Sequence, residues 1–547
     1  MPLLPRESTR LGMTRLCAWL ALAGAAGAGL VGAWRAVLLV VAVSLGGCAA
    51  LPGNVVRPAS FASDDVAGTT LARAAAASVA SPGAGRSGFR LLPGGQQAFD
   101  ARIALIRRAE KTLDVQYYLI GSDDTGLGFL GELRDAARRG VRVRVLVDDL
   151  YASGQDELLA DFAAHANVEV RMFNPLPVRG GGLVRRVALS LHDFSRINRR
   201  MHNKLFIADA SFAVTGGRNI ADEYFERGEE ANFIDMDILS AGPVVGELGA
   251  LFDRFWNTEL AFPIASLARQ PALAARFEAR VATAGAGRGA ATPSDREPGL
   301  AEELARGRVD LVDAAFDLLA DEPLKADAAR PEAVATVATA HLELVRSARE
   351  SVQLASPYFI PGAEAMRALA EVRARDVEVS VLTNSLATTD EPLVHFGYAR
   401  HRAMLLHVGV ALHELAGAAA PAGAAHLVGA GSGRGPSLGR LHSKVTIVDG
   451  ERLFIGSMNM DPRSARYNTE AGLVIHSEAL CAQLTSFLDG NRRESSYEVR
   501  LRGPERRLSW QAGAGTTRRE LTSEPGADGR IGLGVRLMAW LVDEAML

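Results

Sequence analysis

The chain reads "RRMHNKLFIAD" at residues 199–209 and "RLHSKVTIVD" at residues 440–449. Each stretch sets a lysine two places after a histidine and an aspartate five places further on: His202, Lys204 and Asp209, then His442, Lys444 and Asp449. Gly216 and Gly456 follow the aspartates by seven places, Asn219 and Asn459 by three more, and every offset between the two copies is 240 residues. With 11 histidines and 4 lysines in 547 residues, chance supplies about 0.08 His-x-Lys triplets. Arginine outnumbers lysine 56 to 4, yet two of the four lysines stand here. The repeat is an internal duplication, and lysine in it is selected over arginine.

The duplication extends outward from the motifs. A helix-like "QQAFDARIALIRRAEK" leads to the β-rich "TLDVQYYLI", then to an amphipathic helix and "VRVRVLVDDL". From residue 341, "HLELVRSARE", "SVQLASPYFI", "EAMRALAEVRAR" and "VEVSVLTNSL" repeat that order, and Tyr118 and Tyr358 keep the 240-residue offset. Strands alternating with helices at this spacing predict two α/β lobes, at 96–270 and 336–500. The chain is longer than one usual core, which agrees with two packed units. Residues 271–335 read as an Ala/Gly/Pro-rich bridge, 49–95 as a tether and 417–437 as a mobile loop. In the tail, 501–547, "IGLGVRLMAWLVDEAML" suits a membrane-surface helix and a plain docking helix equally.

The first 48 residues read as an export address. Two apolar runs, 16–34 and 36–48, are split by Arg35, and the second ends in Leu45-Gly46-Gly47-Cys48, which resembles a bacterial lipobox with Cys48 as the lipid-anchored residue. One or two transmembrane helices are the alternative, since the first run is about as long as a span requires. A start at Met13 would shorten the leader. Either reading sets the body against a membrane, on its outer face, and Ala49 is compatible with outer-membrane sorting. Of three cysteines only Cys481 lies in the body, at helical spacing that makes it a core residue. No disulfide is expected within the body, and no Cys/His cluster has zinc spacing, so no metal is expected. A net charge of −3 and 6% aromatic residues give no push toward nucleic acid.

The motif runs are β-type, so His and Lys at i and i+2 project from one surface. If the lobes pack pseudo-symmetrically, two histidines, two lysines and two asparagines converge. Ammonium and amide groups would hold the non-bridging oxygens of a phosphodiester while the imidazoles attack and protonate from opposite sides. Lysine is a compact charge where arginine is a planar fork, so the two are not interchangeable at a crowded phosphorus.

Both motifs match the HxKx4D signature of the phospholipase D superfamily, a resemblance covering roughly 96–500. "DFSRINRRMHNK", "GGRNIADEYF", "LTNSLA", "GYARHR" and "FIGSMNMDPRSARYNTEAGLVI" make the chain most similar to bacterial cardiolipin synthases, especially the C type. That resemblance implies two pseudo-symmetric lobes, each a β-sheet flanked by helices, sharing one active site with no metal or other cofactor. It implies His202 as nucleophile forming a phosphohistidine and His442 as general acid, although pseudo-symmetry permits the reverse. Asp235 is expected to orient His202, with Asp237 nearby, and Glu470 to orient His442. Asn219 and Asn459 are expected at the phosphate, with Ser457 and its counterpart Gly217, which lacks the hydroxyl. Asp209 and Asp449 complete the motif and are expected to bond neighbouring groups rather than carry protons. Arg179, Arg185, Arg186, Arg196, Arg199 and Arg200 are expected either to guide anionic head groups or to form a solvated surface.

The implied reaction is phosphatidyl transfer that forms cardiolipin from phosphatidylglycerol and a second phospholipid, phosphatidylethanolamine or phosphatidylglycerol. Phospholipids and a membrane are then the partners. Water as acceptor would make the chain a hydrolytic phospholipase D or another phosphodiesterase such as a nuclease. A non-catalytic head-group-binding lipoprotein is the third reading, and two intact motifs weigh against it.

Overall fold

The computed structural model describes residues 51–63, 65–80, 85–190, 193–286, 299–327, 336–417, 438–512 and 519–527. The leader with Cys48, the expected mobile loop beyond its first residue, and the expected C-terminal amphipathic helix lie outside the described residues.

The first lobe carries β1 (Arg86–Leu92), β2 (Thr112–Tyr117), β3 (Arg142–Asp148), β4 (Val168–Phe173), β5 (Leu205–Ala208), β6 (Phe212–Gly216), β7 (Ala231–Ile234), β8 (Asp237–Ala241) and β9 (Ala261–Pro263). A long strand, β10 (Val312–Ala320), opens the second half. It is followed by β11 (Ser351–Ala355), β12 (Glu378–Asn384), β13 (Ala411–Leu415), β14 (Leu438–Leu441), β15 (Val445–Val448), β16 (Arg452–Gly456) and β17 (Ala471–His476). β18 (Ser496–Arg502), β19 (Arg507–Ala512) and β20 (Arg519–Leu521) close the second lobe's edge.

Pairing joins these into one mixed sheet, apart from β7 and β14, which form a two-stranded sheet of their own. β4, β3 and β2 run parallel, and β2 continues antiparallel through β5, β6 and β8 to β1. β13, β12 and β11 mirror the parallel set, and β15, β16 and β17 lead antiparallel to β10. β1 and β10 pair antiparallel at the centre and close the pseudo-twofold. Parallel strands covered on both faces favour continuous apolar runs. β3 departs from the pattern: Val143, Val145 and Val147 fill one face, and the other buries Arg144 in an ion pair with Asp114.

The expected tether and bridge are therefore partly structural. Within 49–95 lie the helix Thr70–Ser78 and β1, and within 271–335 lie the helices Ala274–Ala286 and Leu300–Ala305 together with β10. The physical reason is pairing. β1 bonds β8 on one side and β10 on the other, so neither strand is an edge and both lobes share a single sheet.

Helices cover the two faces unequally. Gly95–Arg108 and Asp124–Arg138 pack their apolar stripes on the first lobe, and Thr336–Arg346 and Gly362–Arg373 do so on the second. On the opposite face Pro243–Trp256 and Glu478–Ser495 share one core that crosses from lobe to lobe. Cys481 lies in that core, its thiol pushed up to about 12 by burial, which is the state of an inert packing residue. No helix among the described residues is long and apolar enough to cross a membrane.

Candidate active site

The motif histidines sit immediately ahead of strands β5 and β15, where each loop crosses to the other lobe. β14, which leads into His442, pairs in parallel with β7, which leads into Asp235. The second crossing is shorter, a bridge between Met201 and Thr469 next to His202 and Glu470. The His202 amide donates to Thr469 O at 3.0 Å, and the His442 amide donates to Ile234 O at 2.8 Å.

This crossing reverses the expected carboxylate assignment. His202 Nδ1 pairs with Glu470 Oε2 at 2.9 Å, and His442 Nδ1 pairs with Asp235 Oδ2 at 2.6 Å. Each imidazole takes its partner from the opposite lobe, because the chain ahead of each histidine is stitched to the segment ahead of the other lobe's acid. Asp237 serves neither histidine: it forms a buried ion pair with Arg102 at 2.9 Å. The carboxylate fixes Nδ1–H in each ring and leaves Nε2 as the lone-pair nitrogen, without a hydrogen-bond partner among the described residues.

The lysines are equally constrained. Lys204 Nζ donates to His202 O at 2.7 Å, and Lys444 Nζ donates to His442 O at 2.5 Å. One donor of each ammonium is used and the others remain for a ligand. Tyr118 lies edge-on to His202 at 5.0 Å, and Lys204 Nζ stands 5.2 Å from the same ring. Tyr224 and Phe233 enclose His442 at 5.1 and 4.8 Å. These aromatic walls were not legible as site residues, since the sequence does not show which loops fold over the motif.

Burial and crowding shift the whole set. Burial pushes His202 down to about 4, outweighing Glu470, which raises it, while Lys204 and Lys444 lower it further. Burial lowers His442 as well, with Lys444 adding to the effect. Burial takes Lys444 down to about 8 and Lys204 well below its ordinary value. Against its own burial, the His442 partnership brings Asp235 down to about 2, and His202 likewise holds Glu470 low. The centre sets two lysines and two imidazoles against two carboxylates, and burial disfavours the charged form of every base in it. A bound phosphodiester would raise both imidazoles and both amines toward their charged forms.

The remaining expected residues divide. Asn459 is buried and makes no hydrogen bond among the described residues, and Asn219 donates to the Tyr224 hydroxyl at 2.9 Å. Asn219 thus spends a donor on the protein, and the Oδ1 of each is left without a partner among the described residues. Ser457 and Gly217 are not available to a phosphate. The Ser457 hydroxyl proton goes to Glu470 Oε2, and the Gly217 amide donates to Met236 O. A Cβ at Gly217 would lie 2.1 Å from Asp235 Oδ1, so glycine is required there by the acid that serves His442. Asp209 accepts from the amides of Glu110, Lys111 and Thr112, and Asp449 from those of Arg349, Glu350 and Ser351. Both adopt positive φ, 46° and 56°, and both tie turns at the far end of the motif strand.

The arginine cluster is mostly interior: Arg179, Arg186, Arg199 and Arg200 are buried, Arg196 is half-buried, and Arg185 alone of the six is exposed. Arg179 and Arg186 pair with Asp149, Arg200 with Asp148 at 3.2 Å, and Arg196 with Asp193 at 2.6 Å. Arg199 donates to Lys325 O at 2.7 Å, and Arg185 donates to Gly180 O at 2.8 Å. The purpose is visible at the end of β3. Asp148 Oδ2 accepts the Met201 amide at 2.8 Å, and the equivalent place at the end of β12 is Asn384, which exchanges two 2.9 Å hydrogen bonds with Leu441. Both motif loops are thus clamped one residue ahead of the histidine. The first clamp is ionised and needs Arg200.

Comparison with known proteins shows the family. A family model described as "Cardiolipin synthase, PLD-like domain" matches residues 103–256 and again 342–490. The chain is 36% identical over 424 residues to cardiolipin synthase C of Escherichia coli (strain K12), covering 76% of this chain and 87% of the relative. It is 25% identical over 410 residues to a cardiolipin synthase of Geobacillus kaustophilus, covering 75% and 67%. Among solved structures, a phosphatidylserine synthase from Haemophilus influenzae Rd KW20 aligns at 13% identity and TM-score 0.49, covering 75% of this chain and 87% of that one.

Proposed function

The chain belongs to the cardiolipin synthase family of phospholipase D-like proteins and is a phospholipid phosphatidyltransferase of that superfamily; from that premise we propose that it forms cardiolipin from phosphatidylglycerol and a second phospholipid. The observation that carries the reading is the pair of buried imidazoles, each held at Nδ1 by the other lobe's carboxylate beside its own lysine.

The donor phosphodiester enters between Lys204 and Lys444, with Asn219 and Asn459 on its non-bridging oxygens. His202 is the nucleophile, because burial and the neighbouring cations keep it neutral. Its Nε2 forms the N–P bond as the bond to the donor's head-group alcohol breaks, and His442 delivers a proton to that alcohol. Phosphate binding raises His442 toward the protonated state this step requires, with Asp235 as its counterion. In the second half His442 takes the proton from a phosphatidylglycerol hydroxyl, whose oxygen displaces His202 from phosphorus. Tyr118 beside His202, and Tyr224 and Phe233 beside His442, give the imidazoles apolar flanks that favour a lipid acceptor over water. The donor is phosphatidylethanolamine or phosphatidylglycerol, and the reaction takes place at a membrane surface to which Cys48 anchors the chain.

The test incubates the detergent-solubilised full chain with labelled phosphatidylglycerol, with and without phosphatidylethanolamine, and reads lipid products by mass spectrometry. Cardiolipin formed by the wild type and lost in His442→Ala is expected, and its dependence on the second lipid identifies the donor. Phosphatidic acid as sole product would replace the reading with a hydrolytic phospholipase D.

A further inference from the structure

A third lysine, Lys325, stands behind this centre, in the short turn Pro323–Ala326 between β10 and the helix Thr336–Arg346. It is 1% exposed. A buried ammonium is costly unless it is fully engaged. Lys325 Nζ donates to Asp321 Oδ2 at 2.7 Å and to Ser464 O at 2.9 Å. Asp321 is itself fully buried, and it holds the backbone of Glu470 from both sides. The Glu470 amide donates to Asp321 Oδ2 at 3.0 Å, and the Asp321 amide donates to Glu470 O at 2.9 Å. The other oxygen, Oδ1, accepts the Val337 amide at 3.1 Å.

The same turn grips the first lobe. The carbonyl of Lys325 accepts from Arg199, three residues ahead of His202. The connection Asp321–Ala326 therefore touches the histidine's own loop through the Lys325 carbonyl, and through Asp321, held by Lys325, the backbone of the residue that carries the histidine's carboxylate. The His442 half is built otherwise. There Arg218 donates to the carbonyls of Leu92, Pro93 and Asp235, with no buried lysine involved.

We propose that the Asp321–Lys325 ion pair is a positioning device for the reaction, fixing Glu470 across the lobe boundary so that the His202 ring is held for attack. Neither residue touches the substrate. The pair sets where the Glu470 carboxylate stands, and Glu470 sets the ring. The inference rests on the two-histidine centre proposed above but not on which acceptor takes the phosphatidyl group.

Stability and turnover separate in the test. Lys325→Met leaves Asp321 an unpaired buried charge, which lowers the melting temperature and turnover together. The electroneutral double variant Lys325→Met/Asp321→Leu replaces the ion pair by apolar groups, a change that commonly restores stability. It still removes the acceptor of the Glu470 amide. The full chain is assayed in mixed micelles by donor phospholipid consumed, a readout shared by transfer and hydrolysis. The expected result is a double variant that melts above Lys325→Met but below wild type, because the Glu470 and Val337 amides and the Ser464 carbonyl lose their partners, and that, assayed well below its own transition, keeps KM within about twofold and loses about 10- to 100-fold in kcat. Recovery of kcat together with melting temperature in the double variant would show a merely structural pair and overturn the proposal. A wild type that consumes donor without making cardiolipin would instead revise the proposed acceptor and leave this inference standing.

Discussion

At His202 opposing influences act on one ring. Burial disfavours the imidazolium, Glu470 favours it, and Lys204 and Lys444 disfavour it again, so the ring falls to about 4. The proposed role as nucleophile needs a neutral ring, and burial with the two neighbouring lysines favours that form. Nitrogen-15 titration of the imidazoles in the full chain should find His202 already neutral at about pH 6. Lys444→Met removes a cation that repels the imidazolium, so the His202 pKa should then move upward. A wild-type ring that takes up its proton near the ordinary histidine value would remove the physical basis for naming it the nucleophile. The motif histidines and lysines were legible from spacing alone. The carboxylate partners were read the wrong way round. Asp235 and Glu470 are nearly equivalent in the two repeats, and spacing does not say whether a repeat closes on itself or exchanges partners. Gly217 held the clue, since Ser457 fits beside Glu470 whereas nothing larger than glycine fits beside Asp235.

The element that decides motif geometry is the loop entering each histidine, clamped by the residue at the end of β3 or β12. Asp148 does this in the first lobe and Asn384 in the second. Burial raises Asp148 to about 6 although Arg200 opposes the shift. Arg200→Met strands that carboxylate and should cost about 3–5 kcal/mol of stability. Adding Asp148→Asn copies the neutral clamp of the second lobe, so thermal unfolding of Arg200→Met/Asp148→Asn should recover most of the loss. No recovery would mean that Arg200 acts through its backbone carbonyl contacts rather than through charge. The arginines were legible as a cluster but not as an interior one, because their acids, Asp148 and Asp149, lie 30 to 52 residues upstream and meet them only in the folded lobe. The strands β2, β3, β11 and β12 stood out through their apolar runs. β1 and β10 did not, since each has meaning only beside the other.

Across the whole molecule the two lobes form one sheet and one site, and neither holds a complete His–carboxylate pair of its own. The pseudo-twofold was legible in the 240-residue offset, whereas the joining of the lobes through β1 and β10 was not. Because both crossings are within one chain, mixing His202→Ala and His442→Ala proteins in common micelles should restore no donor consumption. Restored activity would require lobes exchanged between copies. If one shared centre works covalently through His202, supported from the other lobe by Glu470, the phosphohistidine can be trapped. The most direct measurement is rapid quench of the full chain with phosphate-labelled donor phospholipid under alkaline conditions, which preserve phosphohistidine, followed by peptide mapping. Label on the peptide containing His202, absent from His202→Ala and strongly reduced in Glu470→Gln, is the predicted result. Label on His442 instead, or no covalent label while donor is still consumed, would contradict it.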